Sequence, residues 1–76
     1  MIEAYILVQT EVGRSGAIGR QLSGLEGIAS SRPVTGPYDV VVLAQVDELP
    51  ELAKLVDTGI QAVDGVTRTM TCVVHE

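Results

Sequence analysis

An α+β fold made of two successive β-α-β units is what this sequence of 76 residues predicts, and three features predict it. Val40-Val41-Val42-Leu43-Ala44-Gln45-Val46 is a β-branched run close behind the turn signal Gly36-Pro37, which reads as a hairpin tip and a buried strand. Two segments, one after Arg14 and one after Asp47, carry apolar residues at helical spacing. The halves also repeat at an offset of 38 residues: Leu25-Glu26-Gly27-Ile28 lies on Val63-Asp64-Gly65-Val66, Ile18 on Val56, Leu22 on Ile60 and Val8 on Val46.

Taken in order, Ile2 to Gln9 alternates as a strand, with Ile2, Ala4, Ile6 and Val8 on one face and Tyr5 and Leu7 on the other. Arg14 to Gly24 is a helix bearing Ala17, Ile18 and Leu22, weakened by Gly16 and Gly19 at about 1 kcal/mol each relative to Ala. Gly27 stops it, and Ile28 to Thr35 is a second strand. Pro33 cannot donate to a ladder, so this strand belongs at a sheet edge. After the third strand, Asp47 is placed to cap a helix with Glu48, Pro50 and Glu51 in its first turn and the stripe Leu49, Leu52, Val56, Ile60 and Val63. Gly65 stops that helix, and Val66 to Val74 is the fourth strand, with Thr67, Thr69, Thr71 and Val73 on one face and Met70, Cys72 and Val74 on the other, toward the helices.

Joining the two units gives the split β-α-β, ferredoxin-like arrangement: a four-stranded antiparallel sheet, strands one and three central, both helices on one face. Tyr5, Leu7, Val41, Leu43 and Val73 are then expected on the uncovered face. Leaving five such side chains in water forfeits on the order of 10 kcal/mol, comparable with the stability of a small domain. A sheet-to-sheet homodimer, as in dimeric α+β barrels, is the expected cover.

The composition bounds the function. Seventy-six residues make one domain, marginal as a monomer, with 46% apolar residues and a core of small aliphatics, since Trp and Phe are absent. Ten acidic against five scattered basic residues give a net charge of −5 and no patch to neutralise phosphates, so direct nucleic-acid binding is not expected. The single Cys72 allows neither an internal disulfide nor a zinc site, and reads as an inert core thiol. No basic leader and no apolar run of about 18 residues is present, so the expected location is the cytoplasm, without membrane contact. Gly13-Arg14-Ser15-Gly16 opens a helix but fits neither phosphate-loop spacing, and His75 beside Glu76 reads as a frayed end. No cofactor or metal is expected.

With Gly27 before the second strand, Gly36-Pro37-Tyr38-Asp39 at the hairpin and Gly65-Val66 leading to Thr69-Met70-Thr71, the whole chain resembles the C-terminal effector-binding domain of the Lrp/AsnC transcriptional regulators. The helix-turn-helix of those regulators is absent from it, so the resemblance is to a stand-alone domain. It implies a non-enzymatic module whose dimers assemble further, to octamers or decamers, that binds a small effector, typically an amino acid, between dimers and joins full-length regulators. It also implies that Gly36, Tyr38 and Asp39 with Thr35 at the tip, and Thr69 and Thr71 on the last strand, contact the effector. Pro37 departs from the acidic or polar residue common there and removes an amide.

The residue chemistry fits that role. A free amino acid needs an acceptor for its ammonium, for which Asp39 is suited, and donors for its carboxylate, for which the Gly36 amide and the threonine hydroxyls are suited; Tyr38 supplies a wall. The alternative is that Asp39 bonds nearby backbone amides and Tyr38 packs at a subunit contact. Two other functions share the fold: a small dimeric α+β barrel enzyme, a monooxygenase or isomerase, and an ACT-type regulatory domain. The first needs placed acid–base groups in a pocket, which this sequence does not cluster.

Overall fold

The computed structural model describes residues 1–75; Glu76, the last residue of the expected frayed end, lies outside them. The elements are β1 Ile2–Thr10, α1 Ser15–Ser23, β2 Ile28–Pro33, β3 Val40–Val46, α2 Leu49–Lys54 and β4 Val66–Val73, with α2 prolonged by a π-helical stretch over Leu55–Ile60. The strands pair antiparallel in the order β2-β3-β1-β4. The ferredoxin-like arrangement is therefore the observed fold, and Pro33 ends an outer strand.

Alternation on the two central strands builds the core. Ala4, Ile6 and Val8 of β1 stand opposite Ala44, Val42 and Val40 of β3, and paired residues share a face of the sheet. These six are buried together with Ile18 and Leu22 from α1, with Leu52, Val56 and Ile60 from the second helical segment, and with Val63, which the sequence pattern puts on that helix but which lies in the turn after it. At about 1.5–3 kcal/mol for each large apolar side chain, this layer supplies the main driving force for folding.

The second helix differs from the expected single α-helix. Leu52, Val56 and Ile60 are spaced by four, and each such step overshoots an α-helical turn of about 3.6 residues. The wider π turn takes up that overshoot: the Gln61 amide donates to the Val56 carbonyl at 2.9 Å, and all three side chains stay on the sheet. Leu49 is left out of the stripe, 57% exposed. Asp47 does not cap the helix. The N-cap is Glu48 in an extended conformation, with Pro50 in the first turn, and no side chain bonds the helix start.

A second correction concerns the faces of β4. Val73 pairs with Ala4, Thr71 with Ile6 and Thr69 with Val8, whereas Cys72 pairs with Tyr5 and Met70 with Leu7. Val73 and the two threonines therefore lie on the helix side. Met70 and Cys72 join Tyr5, Leu7, Val41 and Leu43 on the open side, and the Cys72 thiol is exposed rather than a core group. Alternation sorts a strand into two sets without saying which meets the helices, and in β4 threonine and valine against methionine and cysteine is too even a contrast to decide.

Candidate functional site

Backbone bonds at both ends of the tip hold the hairpin. The Val34 amide donates to the Asp39 carbonyl and the Asp39 amide to the Val8 carbonyl, both at 2.9 Å. The Thr10 amide donates to Asp39 Oδ2 at 2.8 Å. Asp39 thus ties the tip to the end of β1, which is the backbone-bonding alternative read from the sequence. A carboxylate has lone pairs beyond the one this bond uses. Thr35, Gly36 and Pro37 are exposed, and Tyr38 and Asp39 half-buried.

Thr69 and Thr71 stand on the other side of β1. Two strand spacings, roughly 10 Å, separate β3 from β4. Thr69 is half-buried and accepts from Gln61 Nε2 at 2.8 Å, and Thr71 is exposed. Within one chain the six expected ligand residues therefore form two groups, the tip and the outer strand, that flank β1 without meeting.

Clefts open elsewhere. One of about 520 Å³ lies at the far end of β3 from the tip, lined by Leu25, Gly27, Val46, Leu55 and Gly59 with Glu26, Asp47, Glu51 and Lys54. A second, about 310 Å³, lies between Gln61 and the start of β4, lined also by Val66, Thr67, Arg68 and Thr69. A third, about 320 Å³, lies between the start of β1, Leu49 and Val73. Gln61 and Arg68 were not among the residues picked out from sequence. Gln61 sits outside any motif, and its approach to Thr69 follows from the π turn, which spacing does not reveal.

A family model described as the Lrp/AsnC ligand binding domain matches residues 3–76. The chain belongs to that family. The resemblance carried by the glycine turns and the Gly36-Pro37-Tyr38-Asp39 tip is thereby confirmed, and the domain is a regulatory, effector-binding one. Its structure is similar to that of TTHA0845 from Thermus thermophilus, at 36% identity and a TM-score of 0.94 over 100% of this chain and 95% of that one. It is similar in fold to the Neisseria meningitidis transcriptional regulator NMB0573, solved as a complex with L-Met, at 16% identity and a TM-score of 0.84 over 99% of this chain and 50% of that one. It is also 34% identical over 74 residues to the homocitrate synthase of Sulfurisphaera tokodaii. That match takes in 96% of this chain and spans 16% of the synthase's length. No helix among the described residues is long and apolar enough to cross a membrane.

Proposed function

We propose that this domain is a non-enzymatic, oligomeric sensor of a free amino acid or a close relative, which passes its occupancy to a transcriptional regulator. The observation that carries the reading is the family match across residues 3–76. The L-Met held by the regulator NMB0573 supports the ligand class. Self-association is supported by the open sheet face, where Tyr5 and Met70 are 48% and 44% exposed beside Leu7, Val41 and Leu43. Assembly also gives the two groups of candidate residues a way to meet: the tip residues Thr35, Gly36, Tyr38 and Asp39 of one chain against Thr69 and Thr71 of another.

A melting-temperature screen against the common amino acids tests this, because a ligand that binds only the folded state stabilises it by RT ln(1 + [L]/Kd), about 2.7 kcal/mol at a hundredfold excess over Kd. A rise confined to one class of amino acid is expected, with a light-scattering mass several times the 8.0 kDa of one chain. Asp39→Asn is the informative variant. It keeps an oxygen for the Thr10 amide and removes the charge that an ammonium needs. The ligand-induced rise should disappear while the free protein melts nearly unchanged; a rise of the same size would take Asp39 out of the site.

The homocitrate synthase match favours a second output for the same sensor, the control of an enzyme rather than of a DNA-binding regulator. Mixing the chain with a purified full-length Lrp/AsnC regulator, with and without the amino acid that raises its melting temperature, separates the two. Co-assembly by mass supports the first output, and its failure at saturating ligand supports the second.

A further inference from the structure

We propose that the cleft at the far end of β3 is a docking site for an arginine of a partner protein, held by Glu26 and Asp47 beside an apolar floor. This surface is separate from the effector site and does not depend on that reading. The internal repeat carries the inference. The same acidic glycine turn occurs twice, and at its second occurrence an arginine of the chain itself fills it.

At Gly65 the arrangement is complete within the chain. Arg14 Nη2 donates to the Asp64 carbonyl at 3.3 Å, while Nη1 lies 3.6 Å from Glu11 Oε1 and 4.0 Å from Asp64 Oδ2. The guanidinium thus lies between a carboxylate in the loop after β1 and one just before the glycine. The Glu11 amide ties that loop to the turn by donating to the Gly65 carbonyl at 2.8 Å. The opposite end of the sheet repeats this plan. The Gln45 amide donates to the Gly27 carbonyl at 2.8 Å, Asp47 stands in the loop after β3, and Glu26 precedes the glycine. The two glycines share a φ of 95° and 96°. A Cβ at Gly65 would meet Arg14 Cζ at 3.3 Å, whereas the three nearest atoms at Gly27 belong to Leu55, Val46 and the Gln45 carbonyl. The offset of 38 puts Leu52 where the first helix has Arg14, and Leu52 is a core residue.

The cleft gives a partner room to reach these groups. Its volume of about 520 Å³ is larger than one guanidinium fills, and Leu25, Val46 and Leu55 offer aliphatic surface beside the acidic groups. Glu26, Asp47 and Glu51 line it against the single ammonium of Lys54, and among the described residues none of these four forms an ion pair. Glu51 is accounted for by the start of α2, whose positive end a carboxylate offsets. Glu26 and Asp47 come from turns, and Asp47 does not cap the helix. Two carboxylates on either side of a glycine turn match the planar fork of a guanidinium, which donates in several directions at once, better than an ammonium. Arginine is also among the side chains that most often anchor protein interfaces.

The test is the fluorescence anisotropy of a labelled peptide, Leu-Arg-Leu between glycine–serine arms, titrated with the whole chain up to about 1 mM. It should bind about tenfold more tightly than its citrulline twin, which keeps the shape and loses the charge, with the lysine twin between them. Serine in place of both leucines should weaken it several-fold. Glu26→Gln combined with Asp47→Asn should weaken the arginine peptide about tenfold, to the level of the citrulline one. Asp57→Asn, exposed and outside the cleft, should change it by less than about twofold. Asp39→Asn should leave it unchanged, so that the two readings fail separately. Circular dichroism and light-scattering mass should match the wild type in every variant.

No binding of the arginine peptide, or a citrulline twin that binds as well, overturns the proposal. So does an Asp57→Asn effect equal to that of the double variant, which assigns the attraction to the net charge of −5. N-acetylarginine amide that competes as strongly as the peptide makes the cleft a small-molecule site and removes the docking. A double variant of lower mass makes it a contact between copies of this chain and removes the partner.

Discussion

Gly27 and Gly65, 38 residues apart, adopt φ angles of 95° and 96°, and each hands a helix over to an outer strand of the sheet. The strands they start are unlike. In the first half α1 is regular, and β2 ends in Pro33, which discourages pairing with another chain. In the second half the helix widens into a π turn, and β4 runs for eight residues without proline or glycine. The halves thus agree where burial dictates the residue, at Ile18 and Val56, Leu22 and Ile60, and the two glycine turns. They differ on the edge where Gln61, Arg68, Thr69 and Thr71 lie. The repeat belongs to the core, and the candidate chemistry belongs to the departures from it.

The largest expected effect tests the equivalence of the cores. Leu22 and Ile60 occupy matching positions and are both wholly buried. Leu22→Ala and Ile60→Ala should each cost about 2–5 kcal/mol in urea unfolding at fixed protomer concentration, and should agree within the scatter usual for such sites. A loss at Ile60 well under 1 kcal/mol would mean that the π turn lets the second half relax around a hole, and the equivalence would break.

The turns should be unequal. An alanine at either glycine needs the left-handed conformation, at about 1–2 kcal/mol. A Cβ at Gly65 would also meet Ile18 Cδ1 at 2.9 Å and Arg14 Cζ at 3.3 Å, whereas at Gly27 the nearest atoms are Leu55 Cδ2 at 3.3 Å and Val46 Cγ1 at 3.4 Å. Gly65→Ala is expected to be the more damaging by about 1 kcal/mol, the order of an overpacked core. Equal losses would show that Ile18 swings aside without cost.

What was legible in the sequence follows the same division. The strands, the glycine stops, the edge position of Pro33 and the order of the sheet were readable, because alternation, turn chemistry and a repeat each have a local physical cause. The side of the sheet taken by Val73, Thr69, Thr71 and Cys72 was not. It depends on which set of β4 side chains the register sets beside Ala4, Ile6 and Val8, and a pairing with a strand more than fifty residues away leaves no local mark. The π turn was hidden for a related reason, since a spacing of four between Leu52, Val56 and Ile60 is helical by pattern and departs from an α-helix only once the sheet demands that all three face it. Asp39 was identified as a polar group at the tip, but its bond to the Thr10 amide joins residues 29 apart and becomes visible only in the fold.

The smallest effect reaches furthest into the first half. Gly16 and Gly19 both lie inside α1, and helix propensity alone assigns each the same penalty, about 1 kcal/mol relative to Ala. Their surroundings differ. A Cβ at Gly16 would meet Arg20 Nη1 at 3.7 Å, an ordinary contact with a flexible group. A Cβ at Gly19 would meet Pro33 Cγ at 3.3 Å and Cδ at 3.5 Å. Gly16→Ala should therefore raise stability by about 0.5–1 kcal/mol, while Gly19→Ala should gain nothing or lose slightly, because the helical gain is offset by pressure on a ring fixed in the outer strand. Urea unfolding of the two single variants distinguishes a helix weakened by chance from one thinned at Gly19 to let β2 close the edge. If Gly19→Ala stabilises as much as Gly16→Ala, the Pro33 ring yields freely, and the packing of α1 on β2 does not help to hold that edge in place.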